Sequence, residues 1–118
     1  MNSMQEKVFR SAMDLWKHDT LFVSSVHQMM EHPSYTTIKT MGADAIEPLL
    51  EELAEYPWIA ICVALGAITG AFPYVDKNDY GKVPVIALAW FDWGHKNGYL
   101  DAQKLDRLQA ALKEAFRE

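Results

Sequence analysis

The sequence predicts an all-α protein, and three observations predict it. Apolar residues recur at three- and four-residue spacing along most of the chain, and glycine or proline falls between those stretches. No segment sustains the period-two alternation of Val, Ile or Thr that a half-buried strand requires. Only Val83–Leu88 leaves an extended reading open. With 118 residues, half of them hydrophobic, the chain can form one domain, 1–118, with a core that needs neither disulfide nor metal. The expected architecture is a compact bundle of about six helices, each burying one apolar stripe.

The elements follow in order. Residues 4–17 form a first helix, with Val8, Phe9, Ala12, Leu15 and Trp16 inside and Glu6, Lys7, Arg10, Asp14 and Lys17 outside. A second covers Ser24–Glu31, capped by the hydroxyl of Ser24 or Ser25, and stops at His32, because a residue before proline avoids helical dihedrals. Pro33 suits the first turn of the next helix, which ends at Gly42. Asp44 and Glu47 have the spacing of a capping box, which starts a helix over 44–55, with Pro48 bending its entry. Trp58–Thr69 is apolar almost all round and is expected to be the buried centre of the fold. Residues 71–83 are the longest loop. A further helix spans about Pro84–Lys96, ended by Asn97 and Gly98. The C-terminal amphipathic helix, 101–118, starts at Asp101 and carries a stripe of Leu105, Leu108, Leu112, Ala115 and Phe116.

The formal net charge of −5 lies in one block. Residues 41–75 carry Asp44, Glu47, Glu51, Glu52 and Glu55 and no Lys or Arg, whereas acids and bases balance on either side. Wound at 3.6 residues per turn, Asp44, Glu47, Glu51 and Glu55 share one helix face, and Ile46, Leu49, Leu50 and Leu53 share the opposite one. Acids spaced i,i+4 repel by about 0.2–0.5 kcal/mol per pair. The stripe is therefore either a surface for a basic partner or an ordinary solvated face. Asp44 and Glu47 also suit the positive end of the helix dipole, which leaves Glu51, Glu52 and Glu55 as the excess to be explained.

Composition excludes several function classes. An acidic chain is a poor ligand for nucleic acid, whose phosphates require Lys and Arg. The longest apolar stretch, Pro57–Val75, is broken by Gly66, Gly70 and Pro73 and is too short to span a bilayer. The N-terminal residues lead into an amphipathic pattern, not a signal peptide, and the single Cys62 has no partner for an intrachain disulfide. The expectation is a cytoplasmic protein with no membrane contact and no cofactor.

Residues 36–70 resemble a HEAT repeat: Met41-Gly42, Asp44-Ala45-Ile46, Pro48-Leu49-Leu50 and Ala64-Leu65 with Ile68 stand where such a repeat has its helix stop, first helix and second helix. The usual turn of Asp-Pro followed by Arg is here Tyr56-Pro57-Trp58. The resemblance implies a central helical hairpin. Over residues 16–99, Trp16, Ser24-Ser25, Met29, His32-Pro33, Tyr35, Met41-Gly42, Ile68-Thr69-Gly70, Trp90, Trp93-Gly94 and Gly98-Tyr99 also resemble a family of short uncharacterised bacterial proteins. That resemblance implies a bacterial or mobile-element origin and no established chemistry.

Chemical constellations are weak. His27, Glu31 and His32 miss the i,i+4 histidine pair of a zinc helix, and Asp76, Asn78 and Gly81 lack the closing Glu of a calcium loop. Neither predicts a metal. Asp92 and His95 are i,i+3 neighbours that offer a general base, hence a small-hydrolase reading, against a plain surface pair beside the inward Trp90 and Trp93. Cys62, in apolar surroundings, is inert. Among the aromatics of the second half, Phe72 and Tyr74 fall in the loop and are poorly placed for burial.

The expected function is therefore protein binding by a small acidic module, with no catalysis. Glu47, Glu51, Glu52, Glu55, Phe72, Tyr74, Asp76 and Asp79 form the contact surface, and the partner presents a basic, nucleic-acid-binding surface. An antitoxin-like or anti-CRISPR-like inhibitor is the specific form. The alternatives are a structural or oligomerisation module, homodimeric through the last helix, and the Asp92/His95 hydrolase.

Overall fold

The computed structural model describes residues 1–116 and is all-α: among these residues there is no strand. The helices are α1 (Ser3–Asp19), α2 (Val26–Met30), α3 (Pro33–Met41), α4 (Ile46–Glu55), α5 (Ile59–Thr69), α6 (Val83–Lys96) and α7 (Ala102–Ala115). Short 3-10 turns cover Gly42–Ala45 and Lys77–Asp79. Val83–Leu88 belongs to α6 and is helical. The final two positions assigned to the C-terminal helix lie outside the described residues. No helix among those described is long and apolar enough to cross a membrane.

The chain divides into two units, Met1–Ala45 and Ile46–Glu118. In the first, Asn2 caps α1 by accepting from the Gln5 amide while the Gln5 side chain returns to the Asn2 amide, each at 2.9 Å. Phe9, Ala12, Met13 and Trp16 are the buried face of α1, which packs on α3. Val8 and Leu15, expected inside, are 42% and 52% exposed, because the buried arc is centred on Trp16 and Met13 and they fall beyond its edge. The Trp16 indole N–H donates to the Met29 carbonyl at 2.9 Å, and its ring lies against Tyr35. A buried indole needs such an acceptor, so this bond fixes where α2 meets α1.

The expected cap of α4 is replaced by another arrangement. Gly42–Ala45 is already wound as a 3-10 turn, which leaves no extended residue at Asp44 to serve as an N-cap. The Asp44 carboxylate accepts from Gln5 Nε2 at 3.2 Å instead.

In the second unit, α4 packs on α5, α6 and α7, and its apolar face, Ile46, Leu49, Leu50 and Leu53, is buried as the stripe predicted. Gly94 lets α6 approach closely: a Cβ there would stand 2.8 Å from Leu50 Cδ1 and 3.2 Å from Leu100 Cδ1. Leu108 and Leu112 of α7 are buried within the chain, which takes them out of the proposed dimer seam; Phe116 is half-exposed. α5 is the informative departure. Ala60, Ile61, Ala64 and Leu65 are buried, but Ala67 is exposed and Val63 and Gly66 are only half-buried. The helix expected at the centre has one open side.

Candidate functional site

The open side of α5 is the floor of an apolar groove of about 680 Å³. Cys62, Val63, Gly66 and Ala67 form that floor. Ile86 and Trp90 of α6 form one wall, and the chain from Ala71 to Val75, joined by Tyr80, forms the other. The loop owes its course to local bonds. Gly70 ends α5 in a left-handed conformation, φ 70°, and Thr69 Oγ1 donates to the Leu65 carbonyl while accepting from the Ala71 amide. Downstream, the Asp76 carboxylate caps the next turn at the Asn78 amide, 2.9 Å away, and Asp79 pairs with Lys82 at 3.1 Å. Both ends of the aromatic segment are thus held while its side chains stand out: Phe72 is 92% exposed, Tyr74 85% and Tyr80 70%.

Phe72 and Tyr74, singled out in the sequence, are therefore brought to one groove. Asp76 and Asp79 share their loop but do not line it. The acidic helix divides three ways. Glu47 and Glu51 both bind the ammonium of Lys104 on α7, Glu51 at 2.6 Å. These bonds hold the lysine above its ordinary pKa of 10.5. Glu52 is 5% exposed and is no contact residue. It stands three positions after Leu49, on the edge of the buried face. Glu55 is exposed.

The enzyme candidates are not assembled. The Asp92 carboxylate pairs with Lys96 at 2.8 Å, and His95 Nδ1 bonds to the Leu100 carbonyl at 2.8 Å. Among the described residues no three His, Cys, Asp or Glu side chains converge as metal ligands. His27 pairs with Glu31, and His32 turns to Asp19 at 2.8 Å while its Nδ1 accepts from the Ser34 amide. Burial pushes the Cys62 thiol up to about 12. A second hollow, about 690 Å³, is polar and lined by Glu47, Tyr99, Asp101, Lys104 and Arg107 among others. It carries two acids and two bases, and its lysine is already paired with Glu47 and Glu51.

The expectation that Trp58–Thr69 is covered on every side holds for Cys62, which is buried, as is the inward Trp90, but not for Val63, Gly66 and Ala67, where the helix is open. Side-chain size does not signal the open side, because Ala60 and Ala64 are as small as Gly66 and Ala67 and are buried. Comparison with known proteins adds no relative: no family model matches the chain, nor does any curated protein or solved structure.

Proposed function

We propose that this protein acts by binding another protein through the aromatic loop 71–80, with Glu55 supplying charge to the contact. The observation that supports this reading is the exposure of Phe72, Tyr74 and Tyr80 within nine residues, on a loop anchored at both ends. Water-exposed aromatics gathered in one place are the usual anchors of protein interfaces. The acidic helix contributes less than its sequence promised. Glu52 is buried, and Lys104 offsets one of the two charges on Glu47 and Glu51. What remains, with no base between residues 41 and 75, favours a basic partner surface. An inhibitor that covers a nucleic-acid-binding surface, antitoxin-like or anti-CRISPR-like, is the form of the reading that this charge supports.

The experiment is co-purification of the tagged chain from its native host, identification of the partner by mass spectrometry, and titration of the two purified proteins. Phe72→Ser with Tyr74→Ser should weaken the complex roughly tenfold or more, as loss of an interface anchor does. Glu55→Lys should act mainly on the association rate and its salt dependence. Unchanged affinity in the aromatic double variant would remove the loop from the interface. Glu47 and Glu51 are unsuitable for charge reversal, since their change also frees Lys104.

A further inference from the structure

A helix that is apolar all round belongs under cover on every side. α5 is such a helix, yet Gly66 and Ala67 form the floor of an open groove. The bulky side chains next to it do not fold in to fill it: Phe72, Tyr74 and Tyr80 stay largely in water while the floor beside them is lined by small residues. Both the floor and the walls thus keep apolar surface exposed, an arrangement that costs stability in the empty protein.

We propose that the groove is a binding site for a neutral, apolar small molecule of fused-ring size. Three features choose that ligand class. Its volume, about 680 Å³, lies within the range of about 300–1,000 Å³ typical of small-molecule sites. Small residues on α5 and aromatic rings beside them offer carbon surface on which a ring system can pack. No lining residue is charged, so an anionic ligand would lose its hydration and gain no ion pair. Tyr74 and Tyr80 add hydroxyls that can bond a single ligand oxygen, which allows a phenol-like or ketone-like group at one edge. The inference shares Phe72, Tyr74 and Tyr80 with the protein-partner reading and adds the floor of the groove, which that reading does not use.

The test uses 2-naphthol as the neutral probe, with 2-naphthoate as its anionic counterpart. Binding is followed by isothermal titration and by backbone chemical shifts. The full chain should bind 2-naphthol at one saturable site, with the largest shifts at residues 62–75 and 86–90, and 2-naphthoate at least tenfold more weakly. Gly66→Leu should abolish binding without unfolding the protein. A Cβ at Gly66 meets only the Ala71 carbonyl oxygen, at 3.8 Å, and leucine favours the helix more than glycine does. Ala67→Leu, at the exposed neighbouring position, fills the same floor and serves if the first variant fails to fold. Absence of saturable binding, equal affinity for 2-naphthoate, or binding retained in a folded Gly66→Leu or Ala67→Leu variant overturns the proposal. Those variants leave Phe72, Tyr74 and Glu55 in place, so partner capture and probe binding fail separately.

Discussion

Lys104 Nζ lies 2.6 Å from Glu51 Oε1 and also bonds Glu47, so one lysine on α7 spans the i,i+4 acid pair on α4. The repulsion expected along the acidic stripe is answered within the chain. The three side chains are partly exposed, so the tie is a modest one.

Lys104→Met should destabilise the protein by about 1 kcal/mol, from the lost ion pairs and the restored Glu47–Glu51 repulsion. The loss should shrink in high salt, as urea midpoints at low and high ionic strength would register. Because Lys104 is raised above 10.5, its contribution is complete below that pH and declines as pH rises through the higher folded value. A stability profile that is flat between pH 9 and 12 once tyrosine ionisation is allowed for would contradict this.

Asp19 predicts the acid side. Hydrogen bonds from His32 and His18 hold its carboxyl below the ordinary 3.8, so its contribution is present above that pH and is lost as pH falls through the lower folded value. Thermal melts of Asp19→Asn should show a shallower decline than the parent below about pH 4, the region where a free Asp titrates. Parallel declines in the two proteins would mean that other carboxylates set the acid limit.

Gly94 is a point of close approach between α6 and α4. Gly94→Ala places a methyl against Leu50 and Leu100, an overpacking cost of about 1–3 kcal/mol offset by about 1 kcal/mol of helix propensity. The net expectation is a loss of about 1 kcal/mol, larger for Gly94→Val. Pairing Gly94→Ala with Leu50→Ala should recover part of the loss, and strict additivity of the two would show that the contact is not responsible.

Cys62 should resist alkylation. With its thiol pushed up to about 12, the thiolate fraction at pH 8 is roughly a thousandfold below that of a free cysteine. Mass spectrometry of the native chain after iodoacetamide treatment should find Cys62 unmodified, and the denatured chain fully labelled. Rapid labelling of folded protein would place the thiol in a more polar setting than the groove floor described here.

Local sequence determined the class and the order of the helices, because capping, proline stops and three-to-four periodicity act within a few residues. It also determined the apolar face of α4, where Ile46, Leu49, Leu50 and Leu53 are buried as their spacing requires. Only tertiary structure decided what the opposite face does. Lys104 lies 57 positions beyond Glu47, a separation over which no periodicity carries information. The same holds for Glu52, whose burial depends on which helices pack beside Leu49. It holds most for α5, whose all-apolar pattern marks it for cover without saying which side lacks it. Asp44 illustrates the local limit, since two windings of Gly42–Ala45 suit one sequence and a contact with Gln5 accompanies the 3-10 form. The sequence thus specifies which surfaces seek partners; the packing of α5 against α4 and α6 determines that the face containing Gly66 and Ala67 is the one left open.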